Sequence, residues 1–220
     1  MKDSKRKQFL VAGLGLFGKS VALTLHNMGY DVLGVDIDEN VVQDCSSDLS
    51  YVVCADASDE KSLKSLPIDD IDVAVVSIGV LESNMMCTLL LKEMGVPMVV
   101  AKALNDLHGT MLNKIGADKI VYAEKDMGKR VAHNLVSSSI VDYIELSNEI
   151  SVMSLQLPED LIGKNLIEAD LRRRYNVNVV AIKRGGSTIV NPCAHEVFQP
   201  DDEIIIIGTH EGVKMMGVNF

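Results

Sequence analysis

The chain has 220 residues, of which 47% are hydrophobic and 24% are charged, and its formal net charge at pH 7 is -10. This length fits one or two globular domains that can each bury a full hydrophobic core. The acidic balance argues against a nucleic-acid groove, which needs lysine and arginine clustered on one face, so we expect no nucleic-acid partner.

The first elements form a strand–helix–strand unit around a glycine-rich turn. An apolar run at 9–12 leads into Gly13-x-Gly15-x-x-Gly18, a helical pattern follows, and a second apolar run ends at Asp36. In such a unit Gly13 permits the tight turn, Gly15 lets backbone N–H groups approach a phosphate, and Gly18 lets helix and strand pack closely. The helix dipole favours that phosphate. The unit predicts a dinucleotide-binding site; glycines that serve packing alone are the alternative.

The acid at the end of the second strand indicates which nucleotide binds. Asp36 follows Gly13 by 23 residues, where a carboxylate accepts hydrogen bonds from ribose hydroxyls, and Asp38 is a second candidate for this contact. No lysine or arginine occurs between Lys19 and Lys61, so nothing local would neutralise a 2′-phosphate. The pattern therefore favours NAD or an adenosine phosphate over NADP.

Helices and strands alternate up to residue 121. Helices are predicted at 38–45, 58–66 (capped by Ser58 or Asp59), 81–94 and 104–115, and strands at 51–54, 72–77, 98–101 and 119–121. Six strands joined by crossover helices form a doubly wound parallel sheet, because right-handed crossovers leave few other topologies. We predict an α/β Rossmann-like domain over residues 1–140.

A further helix is predicted over 124–139, with Val131, Leu135 and Val136 on its apolar face. It packs within the chain or crosses to a second subunit. Beyond it, strands are predicted at 151–157, 177–183, 187–190 and 202–208, and a helix within 161–175. These elements predict a small α+β domain over residues 141–220.

Ligands of a doubly wound sheet lie outside the carboxyl ends of its strands. After the glycine loop, those ends carry Asp56-Ala57, Ile78-Gly79, Lys102 and Glu124. Each charged residue has a structural alternative: Asp56 as a turn or cap residue, Lys102 as a solvated lysine, and Glu124 as a first-turn acid that the helix dipole favours.

Sequence motifs of a reaction centre are missing. The five histidines have no paired or metal-like spacing, no tyrosine begins Tyr-x-x-x-Lys, and neither G-x-S-x-G nor G-x-x-x-x-G-K-[ST] occurs. We therefore predict a nucleotide-binding protein that is not an enzyme, with an NAD-dependent oxidoreductase as the alternative. Scattered cysteines predict reduced thiols, and the absence of a long apolar run or signal peptide predicts a cytoplasmic protein.

Residues 8–217 resemble the RCK family, the cytosolic regulatory subunits of Trk/Ktr-type potassium uptake systems. The similar segments are GLGLFG at 13–18, VDID at 35–38, CADASD at 54–59, KIGADKIVYAEKDMG at 114–128, GKNLIEADLRRRYNVNVVAIKR at 163–184 and VFQPDDEIIIIGT at 197–209. The run IGAD…EKDMG is much more specific than the glycine motif.

The resemblance implies a Rossmann-like domain that binds ATP, ADP or NAD(H), and a crossover helix at 124–139 that joins it to a ligand-sensing domain. It also implies homodimers, octameric rings and gating of a membrane potassium transporter or channel subunit at the inner face of the cell membrane. Glu124 would help to hold a divalent cation or Na⁺ at the dimer interface. The candidate nucleotide contacts are Gly13, Gly15, Leu16, Phe17, Gly18, Asp36, Ile37, Asp38, Asp56, Ala57, Ser58, Ile78, Gly79, Lys102 and Glu124.

One position in the glycine loop departs from the family pattern. Ktr-type members often have arginine where this chain has Leu16. Arginine can reach a terminal phosphate with charge-assisted hydrogen bonds, and leucine cannot. The departure puts discrimination of ATP from ADP in question and favours NAD or a shorter phosphate chain.

The resemblance further implies that the second domain binds cyclic di-AMP between two copies of itself. Arg172 would donate hydrogen bonds to a phosphate, Asn178 would add an amide contact, and apolar walls would come from Leu166, Leu171, Val177 and Pro192. The alternative is that Arg172–Arg174 form the solvated end of a helix.

Overall fold

The computed structural model describes residues 6–136, 140–147 and 149–217. Internal contacts divide the chain into two compact units, Met1–Glu124 and Lys125–Phe220. Of the predicted helix over 124–139, residues 137–139 and the side chain of Val136 lie outside the described part.

The first unit is built on a parallel sheet with six strands among its described residues. These are β1 (Gln8–Ala12), β2 (Asp31–Asp36), β3 (Tyr51–Cys54), β4 (Val73–Val76), β5 (Met98–Lys102) and β6 (Lys119–Val121). The spatial order is β3-β2-β1-β4-β5-β6. The helices are α1 (Leu16–Asn27), α2 (Glu39–Ser46), α3 (Glu60–Lys64), α4 (Leu81–Glu93) and α5 (Asp106–Lys114). The predicted doubly wound sheet is confirmed, and its order reverses between β1 and β4.

Both faces of this sheet are buried, as the continuous apolar strands predict. Successive side chains of a strand point to opposite faces. Leu10 and Ala12 of β1 accordingly pack into one core cluster, while Val11 between them packs into another. All three side chains are fully buried. Burial on both faces fixes the sheet, so that the loops at its carboxyl edge stand on a rigid base.

Side-chain caps place the starts of three helices in this unit. Asp38 accepts a hydrogen bond from the backbone N–H of Asn40, and Asp59 accepts one from Ser62, so these acids cap α2 and α3. Asn105 caps α5 in the same way. Of the two caps predicted for α3, the structure has Asp59.

The second unit contains an antiparallel sheet with five strands among its described residues. They are β7 (Ile140–Glu145), β8 (Ile150–Gln156), β9 (Val177–Arg184), β10 (Ser187–Val190) and β11 (Glu203–Thr209), in the order β10-β9-β11-β8-β7. The helices are α6 (Ala123–Val136), which begins in the first unit, α7 (Leu166–Ala169), α8 (Leu171–Tyr175) and α9 (His210–Met215). The predicted α+β class is confirmed.

The second unit also corrects three details of the prediction. The helical segment within 161–175 is two short helices, because Asp170 adopts a left-handed conformation with φ of 43°. Strand β7 was not predicted, because its apolar and charged residues do not alternate regularly. It lies at the edge of the sheet, next to β8 alone. Helix α9 was also missed, and Thr209 caps it.

Candidate functional site

A cavity of about 650 Å³ lies at the carboxyl ends of the strands of the first unit. This volume is within the range of small-molecule sites, roughly 300–1,000 Å³. The cavity lies at the point where the strand order reverses, between β1 and β4. It is lined by residues at the ends of β1, β2 and β3 on one side and of β4 and β5 on the other. A doubly wound sheet binds its ligands at this point.

The three glycines of the loop have different surroundings. Gly13 has φ of 89°, and a Cβ there would lie 2.9 Å from the backbone nitrogen of Ile78. A Cβ on Gly18 would lie 1.8 Å from the carbonyl oxygen of Gly13, so α1 can approach β1 only without a side chain. A Cβ on Gly15 would meet no atom within 4 Å. Gly13 and Gly18 are thus required by packing, whereas Gly15 leaves open space.

Gly15 is also the N-cap of α1 and offers no side-chain acceptor to the first turn of that helix. The N–H groups at a helix start lack partners within the helix and carry partial positive charge. Because Gly15, Leu16, Phe17 and Gly18 all line the cavity, these N–H groups suit an anionic ligand group. Leu16 is 97% exposed.

Asp36 joins the two loops at the centre of the site. Its Oδ2 accepts a hydrogen bond from the backbone N–H of Leu14 at 2.6 Å, and its Oδ1 accepts one from Asp38 at 2.9 Å. The carboxylate therefore fixes the turn after β1 against the turn after β2. Each carboxylate oxygen has a second lone pair, so Asp36 retains capacity for ligand hydroxyls.

Asp56 combines the two roles that the sequence left open. Its Oδ1 accepts hydrogen bonds from the backbone N–H and the hydroxyl of Ser58, at 2.8 and 2.6 Å, which stabilises the turn after β3. Asp56 also lines the cavity, with Ala57 beside it. The neighbouring helix is capped by Asp59, so Asp56 itself is a turn residue at the cavity wall.

An ion pair at the cavity joins the end of β5 to the first turn of α6. The Nζ of Lys102 lies 2.8 Å from Oε1 of Glu124, and the Lys102 side chain is 11% exposed while that of Glu124 is 68% exposed. The hydrogen bond from Lys102 lowers the pKa of the Glu124 carboxyl. As the structure describes the cavity, its lining has three acids (Asp36, Asp56 and Glu124) and one base.

The structure brings most of the predicted nucleotide contacts together. Asp38 and Ser58 do not line the cavity, because Asp38 caps α2 and the Ser58 hydroxyl donates to Asp56. The other predicted residues all line it. Sequence analysis missed Val35, Ala55, Ser77, Val80 and Ser83. Val35, Ala55 and Ser77 lie at or next to strand ends, which is a signal that could have found them, whereas Val80 and Ser83 lie at the start of α4.

The residues predicted for a second ligand have different exposures. Arg172 and Asn178 are exposed, and Leu166 and Pro192 are half-buried. Leu171 and Val177 are 5% and 1% exposed and pack in the core of the second unit.

The neighbouring Arg174 has partners within the unit. It donates to the Tyr175 hydroxyl at 2.6 Å and lies over that ring at 4.7 Å. It also donates to the carbonyl oxygen of Ala169 at 3.3 Å. Arg174 is therefore held by a residue of its own helix, α8, and by the last residue of α7.

Among residues 6–136, 140–147 and 149–217, no cluster of three or more histidine, cysteine, aspartate or glutamate side chains is placed to hold a metal ion. The predicted cation at Glu124 stays a prediction. No described helix combines the length and the apolar character needed to cross a membrane. The four cysteines are free thiols.

Both units of the chain are similar to domains of known families. Residues 9–123 match the TrkA-N domain, and residues 152–219 match the TrkA-C domain. The chain belongs to the RCK family. The resemblance found in the sequence is therefore confirmed.

Two relatives of this RCK chain are potassium uptake proteins of Bacillus subtilis (strain 168). The chain is 43% identical to Ktr system potassium uptake protein C over 205 residues, which is 93% of each chain. It is 38% identical to Ktr system potassium uptake protein A over 211 residues, 96% of this chain and 95% of that protein. A structure of the GsuK channel bound to NAD superposes with a TM-score of 0.69 at 16% identity, covering 98% of this chain and 40% of that one. That likeness concerns the fold.

Proposed function

We propose that this RCK protein is the regulatory subunit of a membrane potassium uptake system and that its first domain binds NAD(H). The similarity to Ktr potassium uptake proteins over nearly the whole length of both domains supports the regulatory role. The protein acts at the inner face of the cell membrane, next to a Trk- or Ktr-type membrane subunit. Bound nucleotide shifts the protein between states that differ in their effect on this partner.

The cavity supports a dinucleotide as the ligand. The first turn of α1 next to Gly15 provides N–H groups for a pyrophosphate, and Asp36 provides acceptors for ribose hydroxyls. The cavity lining has three acidic side chains and one basic side chain, Lys102, so its net charge is negative. It therefore repels a triphosphate, which has more negative charge than the pyrophosphate of NAD. ATP and ADP are the competing ligands, and direct titration distinguishes them.

We also propose that the protein works without catalysing a reaction. In the cavity the one lysine, Lys102, is paired with Glu124, and the cavity histidine that a hydride-transfer enzyme commonly uses is missing from the described lining. The oxidoreductase alternative predicts oxidation of bound NADH when a substrate is added. Absorbance of NADH-loaded protein over hours, with candidate carbonyl substrates, tests it.

The exposed face of α6 supports self-association. Val131 and Leu135, four residues apart on this helix, are 48% and 81% exposed. Apolar side chains at this spacing form one stripe that a partner can cover. We propose a homodimer through the helix over 124–139, assembled into an octameric ring, with Glu124 side chains of two copies near a divalent cation or Na⁺. Light scattering with and without NAD measures this assembly.

Cyclic di-AMP is the proposed ligand of the second domain. Arg172 is exposed, and Asn178 is exposed three residues after α8 ends, so both side chains are accessible to a phosphate. The half-buried Leu166 and Pro192 supply apolar surface. Equilibrium dialysis with wild type and Arg172→Ala tests the proposal, with Arg173→Ala as the matched control. Absence of binding by wild type, or equal binding by both variants, contradicts it.

A transport experiment tests the regulatory role. The full chain is produced with a Ktr-type membrane subunit in bacteria that lack their own potassium uptake, and uptake of rubidium is measured. We expect rubidium uptake by these bacteria to depend on the chain. In proteoliposomes that contain the membrane subunit and the chain, we expect uptake to change with the nucleotide that is supplied. Uptake that is the same with and without the chain contradicts the proposal.

A further inference from the structure

A buried amide next to the cavity connects two of its walls. Asn84 on α4 is fully buried and is not part of the cavity lining. Its Nδ2 donates to the carbonyl oxygen of Ile78 at 3.0 Å and to that of Lys102 at 3.3 Å. Ile78 follows β4 and Lys102 ends β5, and both residues line the cavity. One side chain thus links the carboxyl ends of two neighbouring strands.

The two hydrogen bonds of Asn84 connect β4 and β5 beyond the last backbone pair of these strands. The last pair between β4 and β5 is Val76 with Ala101, so Ile78 and Lys102 lie beyond it. Among the described residues, Oδ1 of Asn84 is buried without a hydrogen-bond partner. An unpaired buried acceptor is costly, and a leucine of similar size would avoid that cost. The two donated bonds therefore account for the amide at this position.

The linked ends belong to one half of the dinucleotide site. In this sheet order the glycine loop and Asp36 serve the first mononucleotide, and β4 to β6 serve the second. We infer that Asn84 is a positioning residue, which holds Ile78 and Lys102 at the separation that the second nucleotide of NAD requires. The inference rests on the proposed nucleotide binding.

The test compares two ligands, because a positioning role affects one more than the other. NAD reaches both halves of the site, whereas AMP reaches the first half alone. With full-length Asn84→Leu, calorimetric titration is expected to show a dissociation constant for NAD raised about tenfold, because the second half of the site is no longer held ready for its nucleotide, and a constant for AMP within about twofold of wild type. Equal weakening of both ligands, or no change in either, would overturn the inference.

Two further variants separate positioning from general damage. Asn84→Thr retains one hydroxyl donor and is expected to change the NAD-to-AMP ratio in the same direction by a smaller factor. Thr88→Val is the matched control: Thr88 is also fully buried on α4, and its hydroxyl donates within the helix to the Asn84 carbonyl at 2.8 Å. Its ratio is expected to equal that of wild type, and a shift as large as that of Asn84→Leu would overturn the inference. Wild type that binds neither ligand would contradict the proposed function itself.

Discussion

Substitution of Asp36 by alanine separates ribose recognition from loop stability. The carboxylate accepts hydrogen bonds from the backbone N–H groups of Leu14 and Asp38, at 2.6 and 2.9 Å. Alanine removes the acceptor of both N–H groups and also the acceptors available to the hydroxyls of the adenosine ribose. Leaving polar partners unpaired costs about 1–3 kcal/mol. We therefore expect the affinity for NAD to fall roughly 5- to 150-fold.

A second ligand makes this prediction specific. Asp36 repels the 2′-phosphate of NADP, so its removal relieves a repulsion while it weakens the binding of NAD. We expect calorimetric titration of Asp36→Ala to show a smaller preference for NAD over NADP than wild type, a change that loop damage alone would not cause. Asp36→Asn, which keeps one carbonyl acceptor for the loop, is the matched control for folding and should show the same change of preference. Equal loss of both ligands, or unchanged NAD affinity in a folded variant, would refute the ribose assignment.

Three further changes test neighbouring features by calorimetry and thermal or chemical unfolding. Gly18→Ala should destabilise the protein by about 1–3 kcal/mol, because its Cβ would lie 1.8 Å from the Gly13 carbonyl oxygen. Gly15→Ala, whose Cβ would meet no atom within 4 Å, should unfold like wild type but lose NAD affinity. If the two variants were equally unstable, the separate roles of these glycines in packing and in binding would be contradicted. Leu16→Arg should raise the affinity for ATP about tenfold and that for NAD much less, and an equal gain would refute the charge argument. Asp202→Asn should destabilise the second unit by about 3 kcal/mol at pH 7, because Asp202 is fully buried and paired with Arg184 at 2.8 Å. The hydrogen bond from Arg184 holds the pKa of the Asp202 carboxyl below its unfolded value of about 3.9, so the charged carboxylate stabilises the folded protein above that pH. The difference in stability between wild type and Asp202→Asn should vanish as the pH falls through the lowered pKa. A stability difference that persists in acid would contradict this prediction.

Local signals were sufficient for the first unit. The glycine spacing, the continuous apolar strands and the capping residues all indicate the same alternation of strands and helices. Strands β3 and β6 have the predicted bounds. The cavity lining was also predictable in large part, because the residues that follow parallel strands meet at one edge. This rule identified Ile78 and Lys102 without any information on side chains.

Contacts between residues distant in sequence were not predictable in this way. Asn84 lies within an apolar helical segment, and its bonds to Ile78 and Lys102 depend on the adjacency of β4 and β5. The break at Asp170 is a left-handed conformation that nothing in the local sequence requires, since aspartate is only moderately favoured there. Strand β7 at the sheet edge has its pattern set by β8 alone, so alternation is a weak signal for it.

The charged residues of the cavity already have partners before any ligand binds. Asp36 holds two backbone N–H groups, and Lys102 is paired with Glu124 at 2.8 Å. A ligand hydroxyl can use a remaining lone pair of Asp36, so this contact adds to the existing bonds. A ligand phosphate must instead compete with Glu124 for Lys102, and the net gain is then the difference between two charge-assisted bonds. Affinity should therefore depend more on the ribose contact of Asp36 than on the charge of Lys102.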